Sequence, residues 1–138
     1  MSPTELARVW FDRVWNQQEE PAIFEMLSAD CMIEGLNMTE PGPVGFLPFY
    51  RGFINAFDAI RIELIELKEL EDSSFGHGVF TGIHQRTRTP ITIEFSFSAR
   101  WKDGKVVEAR NVIDYLPMLS QLHMLGQEAI AEVLKTDR

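Results

Sequence analysis

Cysteine is nearly absent: Cys31 is the single one in 138 residues. A lone thiol excludes an intramolecular disulfide and fits a cytosolic protein. It precedes a short apolar run and reads as a buried structural thiol. Positive charge is also scarce, with 13 Lys and Arg against 21 Asp and Glu and a net charge of −8. Phosphate recognition needs a basic stripe, so this balance argues against nucleic acid as a partner. No apolar run is long enough to span a membrane. The opening MSPTELARVWFDRVW lacks the basic-then-apolar layout of a signal peptide, so the expected location is cytoplasmic. His77, His84 and His123 are scattered, with no paired or His-x-x-Glu spacing, and predict no metal site. There is no Gly-rich phosphate loop and no Ser/His nucleophile pattern. There is no repeat or linker either. The length and the 45% hydrophobic content suit one soluble domain over residues 1–138.

What is present is a hairpin. Residues 91–115 read ITIEFSFSARW, KDGK, then VVEARNVIDY. Asp103-Gly104 between alternating runs signals a two-residue turn. A turn centred there sets Lys102 opposite Lys105, Trp101 opposite Val106, Ala99 opposite Glu108, Phe97 opposite Arg110, Phe95 opposite Val112 and Ile93 opposite Asp114. Opposed side chains share a face. One face then carries Ile91, Ile93, Phe95, Phe97, Ala99, Trp101, Val106 and Val112, together with Glu108, Arg110 and Asp114. Charges on such a bed are costly unless paired or used. The other face carries Ser96, Ser98, Arg100, Val107, Ala109, Asn111 and Ile113. It is too mixed for a core and too apolar in its second strand for full solvation, so it predicts a two-fold contact with a second copy.

The rest of the chain supplies helices and two further long strands. Helical spacing runs over Thr4–Asn16, with Ser2 as a possible cap. Pro21 opens a second short helix, and CMIEGL is a short strand. After a Pro/Gly loop, Val44–Phe57 is an apolar helix rich in aromatics. Ile60–Leu70 and Phe75–Gln85 read as strands. Gly76, Gly78 and Gly82 share parity with Phe80 and His84, leaving room for the bulk of Phe97 and Trp101 next door. That parity points His84 at the same pocket. Pro117–Leu125 and Gln127–Lys135 read as short helices, with Gly126 ending the first and Thr136–Arg138 fraying. The plan is α+β, with helices on one face of a curved sheet.

VWNQQEEPAIFEMLSADCMIEGL resembles the opening of the SnoaL-like polyketide cyclases, TGIHQ their Thr-Gly-Thr-His segment, and DGKVVEARNVIDYLPMLSQL their closing strand and helix. The resemblance covers nearly the whole chain and implies the nuclear transport factor 2-like superfamily. The implied fold is a cone: a strongly bent antiparallel sheet closed by helices around a deep pocket, often dimeric through the outer sheet face. By position, the catalytic aspartate maps onto Asp114 and the strand histidine onto His84. Arg110 stands where relatives commonly carry Trp, and Gln85–Pro90 replaces their Gly- and Pro-containing loop.

The implied activity is cofactor-free proton chemistry, an aldol cyclisation or isomerisation, on a small apolar carbonyl compound. Asp114 would move the proton, with His84 or Arg110 stabilising the enolate oxygen. Asp114 also reads as a cap of the following helix, and Glu108 with Arg110 as a structural ion pair. Phe97, Trp101, Ile93, Tyr50, Phe53 and Trp15 are the expected pocket walls beside Arg110 and Glu108, although Tyr50, Phe53 and Trp15 also suit a plain core. Two non-catalytic alternatives share this fold, a small-ligand-binding module and a dimeric interaction domain. An epoxide hydrolase-like activity is a further option, for which only Arg110 and Asp114 could supply parts of an Asp-Arg-Asp group.

Overall fold

The computed structural model describes residues 1–124 and 127–135. Helix α1 spans Pro3–Trp10. Ser2 Oγ accepts from the Glu5 amide at 3.2 Å, and Pro3 occupies the first turn, where no amide is needed. The helix then loosens into a π-helical turn over Phe11–Asn16. That register leaves the Val14 carbonyl to the Tyr50 hydroxyl, at 2.9 Å. Asn16 at its end acts as a surrogate strand residue. It accepts from the Ile62 amide at 2.7 Å and donates to the Ile62 carbonyl at 3.0 Å, which covers a sheet edge. Helix α2 is Glu20–Met26, strand β1 is Ile33–Glu34 and helix α3 is Gly42–Ala56.

Four long strands follow: β2 (Phe57–Leu70), β3 (Ser73–His84), β4 (Pro90–Lys102) and β5 (Lys105–Asp114). The sheet order is β1-β5-β4-β3-β2, antiparallel throughout except for the β1–β5 pair. The sheet is curved and unclosed. Breaks in pairing between Asp58 and Arg61 and between Leu64 and Glu66 bend β2. Short helices α4 (Leu116–Gln121) and α5 (Gln127–Val133) complete the chain. Of the expected C-terminal features, the Leu125–Gly126 helix end and the fraying of Thr136–Arg138 lie outside the described residues.

Strand β4 alternates exposed and buried without a fault from Pro90 to Lys102. Its inner residues meet α1 and the π turn: the Phe11 ring sits 5.4 Å from Phe95 and 4.9 Å from Phe97. Glycine makes room for this layer at Gly78, where an added Cβ would lie 2.8 Å from the Phe95 ring. The bulk it accommodates is thus Phe95 rather than Phe97 or Trp101. The Trp101 indole donates to Ser74 Oγ at 3.0 Å, so both polar atoms are satisfied inside the core.

The β4–β5 register corrects the expectation from the turn. Lys102 faces Lys105 and Trp101 faces Val106, as the Asp-Gly turn dictates. The ladder then slips by one residue: Arg100 faces Glu108, Ala99 faces Ala109, Ser98 faces Arg110, Phe97 faces Asn111, Phe95 faces Ile113 and Glu94 faces Asp114. Val107 is the extra residue of a β-bulge, and everything beyond it changes face. Glu108, Arg110, Val112 and Asp114 point outward, while Ala109, Asn111 and Ile113 point inward. The physical reason lies in β5 itself. Its charges share one parity, and burying three of them costs far more than one irregular pair.

Candidate functional site

Helix α1, the π turn and α3 close over the concave face of the sheet and leave a cavity of about 80 Å³. On that scale one water needs about 10–15 Å³, so there is space for a small organic molecule. Ala7 and Trp10 line it from α1, Phe11 and Trp15 from the π turn, and Phe46, Phe49 and Phe53 from α3. Ile62 and Phe80 contribute from β2 and β3, and Ile93, Phe95, Phe97, Ala99 and Trp101 from β4. Ile33 and Leu36 close the side next to β5, which adds Val106, Ala109, Asn111 and Ile113. Trp15 is the hub of the wall, with its ring 5.2–6.4 Å from Phe46, Phe49, Tyr50, Phe53 and Phe80. Edge-on contacts of this kind hold aromatic walls in defined positions.

Of the expected site residues, Phe97, Trp101, Ile93, Phe53 and Trp15 line this cavity. The others do not. Asp114 is exposed on the outer face, opposite Glu94, and its Oδ1 accepts from the Leu116 amide at 3.3 Å. That is the contact of a residue steadying the start of α4. Arg110 lies on the outer face, 4.0 Å from Glu34, and Glu108 binds Arg100 at 3.0 Å. Both are surface ion pairs, worth little in stability.

His84 has the inward parity but sits at the last residue of β3, beyond the cavity. Its ring packs edge-on against Phe57 at 5.6 Å, and its Nδ1 lies 2.8 Å from Thr87 Oγ1. Tyr50 is buried behind Trp15 with its hydroxyl on the Val14 carbonyl, and burial pushes its phenol pKa up. Cys31 is buried as expected. Loss of water, reinforced by the nearby charge of Glu108, pushes its thiol up to about 11 and keeps it protonated.

The turn-based register hid Asn111. It is the one polar side chain that the inner face of β5 presents to the cavity. Ser98 also borders the space, but its side chain belongs to the exposed outer face. Alternation within β5 was the available signal: Glu108, Arg110 and Asp114 on one parity leave Ala109, Asn111 and Ile113 for the other. Among the described residues, no group of His, Cys, Asp and Glu is placed to hold a metal ion, and no helix is long and apolar enough to cross a membrane.

A curved sheet closed by helices around an apolar cavity is the nuclear transport factor 2-like fold, and solved structures share it. IdmH from Streptomyces antibioticus, described as a candidate polyketide cyclase, superposes with a TM-score of 0.77 at 19% identity, over 89% of this chain and 99% of its own. AclR from Streptomyces galilaeus, described as a candidate hydroxylase, gives 0.75 at 24% identity, over 90% and 99%. A protein of ketosteroid isomerase-like fold from Catenulispora acidiphila, solved with trimethylamine, gives 0.75 at 13% identity, over 91% and 96%. No protein of curated function matches the sequence. The SnoaL-like polyketide cyclase model matches residues 5–122, and the chain belongs to that family.

Proposed function

We propose that this chain binds a small, neutral, mostly apolar organic molecule in the cone, and holds it without proton transfer. One observation carries this reading: none of the described residues lining the cavity has a side chain that titrates near neutral pH. General acid/base catalysis needs such a group within about 3 Å of the reacting proton, or one water away. The apolar wall supplies the affinity, and the lack of a counter-charge disfavours an ionic ligand.

The family match favours a second reading, cyclisation or isomerisation of a carbonyl compound. In it Asp114 and His84 remain the candidate acid and base, and each would have to reach the cavity from its present position. One experiment separates the two. Trp10, Trp15 and Trp101 are the chain's three tryptophans and all line the cavity, so intrinsic fluorescence reports occupancy. Titration with 1-indanone should quench it saturably. In deuterated water the same protein should not accelerate exchange of the proton next to the carbonyl. Exchange well above the buffer rate, abolished by Asp114→Asn, would replace binding with catalysis.

The fold also leaves an outer sheet face to cover. With the bulge in place, that face presents Glu108, Arg110, Val112 and Asp114 instead of Val107, Ala109 and Ile113. Val112 is 58% and Phe75 39% exposed, and they flank the small Ser96 and Ser98. We infer that two copies pack here, the serines allowing close approach between the apolar flanks. Sedimentation at micromolar concentration should give twice 15.9 kDa, and a monomer alone would end the proposal.

A further inference from the structure

We infer that Asn111 selects and orients the ligand, and that the ligand is a compact hydrocarbon carrying one neutral carbonyl or hydroxyl oxygen. This rests on the binding reading above. Asn111 is half-buried on a strand whose inward neighbours, Ala109 and Ile113, offer no polar atom. Among the described residues its side-chain amide takes part in no hydrogen bond, whereas the side chains of Trp101, Tyr50 and Asn16 are all partnered. An amide has two donors and an acceptor to satisfy, and an apolar wall satisfies none of them.

The backbone beneath it is fixed. Asn111 faces Phe97 in the ladder, and Gly35 lies so close that an added Cβ would stand 1.9 Å from the Asn111 carbonyl oxygen. Gly35 also has φ +95°, a conformation that side-chain-bearing residues rarely adopt. The chain from β1 therefore clamps Asn111 at one depth in the cavity. A single fixed amide in an apolar enclosure makes a ligand oxygen the natural partner. Its Nδ2 group donates to a ketone, and its Oδ1 accepts from an alcohol. A site built to hydrogen-bond an oxygen penalises the analogue that lacks it, because the amide is then buried unpaired.

The test uses 1-indanone and indane, similar in shape and differing in one oxygen, with quenching of tryptophan emission as the readout. The ratio of the indane Kd to the 1-indanone Kd in wild type is compared with that in Asn111→Leu. The leucine variant should lower this ratio about three- to tenfold while binding indane at least as well. Asn111→Thr, which keeps a hydroxyl and suits a strand, should recover part of the preference and guards against misfolding of the leucine variant. Equal ratios in all three proteins, with both probes bound, would overturn the role of Asn111 and leave the binding reading standing. If wild type binds neither probe, both fall.

Discussion

At the tip of the β4–β5 hairpin, Trp101 faces Val106 in the register that Asp103-Gly104 dictates; from Arg100 onward each residue faces one further along β5 than that register allows. The two regions share a sequence segment and obey different constraints. At the tip, turn geometry is the strongest local term. In the body, each strand obeys its own alternation. β4 has an uninterrupted apolar parity, and β5 has its charges on one parity that the turn register would have buried. A single bulge at Val107 reconciles them, because an unpaired ladder position costs less than buried Glu108, Arg110 and Asp114. Register propagated from a turn holds only to the first place where the two strands' polarity patterns disagree.

The sharpest way to break this comparison is to place a charge on adjacent residues beyond the bulge. Ile113→Asp sets an unpaired carboxylate into the cavity and should cost more than about 3 kcal/mol, or abolish folding. Val112→Asp lands on the outer face and should stay within about 0.5 kcal/mol in the same urea denaturation, run dilute enough that the proposed two-fold contact does not form. The reverse order would restore the turn register and put Asp114 back inside the cone.

Deleting Val107 is the intermediate case. Removal of the extra residue leaves Val106 inward, Glu108 outward and the body pairs intact, so cooperative folding should survive with a loss of about 1–2 kcal/mol. Collapse of the fold on that deletion would mean that the bulge carries curvature the cone cannot lose. Ligand quenching of the tryptophans by 1-indanone, measured on the same variant, would show whether Asn111 keeps its place.

The smallest effect concerns the bend in β2. Ala59 lies within the break between Asp58 and Arg61 with φ 53°, a left-handed conformation costing a non-glycine residue about 1–2 kcal/mol. Ala59→Gly relieves that strain and gives back part of it as unfolded-chain entropy, for a net gain of about 0.5 kcal/mol in unfolding free energy, read as a higher denaturation midpoint. No gain would indicate that packing around Ala59 outweighs its backbone.

Much of the architecture was legible in the residues. Perfect alternation over 90–102 determined β4 and its core face, because a strand's side-chain period is two and each of its inner residues is large or apolar. Helical spacing of Leu6, Val9, Trp10, Arg13 and Val14 determined an amphipathic first helix, and the glycines of β3 marked a close approach. The motifs at Trp15-Asn16, Thr81–Gln85 and Asp103–Leu122 pointed to the SnoaL-like family. Tertiary structure alone decided which β5 residues enter the cavity. It put Asn111 there and kept Asp114 out, because one inserted residue inverts every later side chain, and only the competition between two strands across a ladder determines where that insertion falls. It also decided that His84, despite its inward parity, ends beside Phe57 and Thr87. Parity gives the face of a sheet, whereas the helices that close the cone determine how far along a strand the cavity reaches.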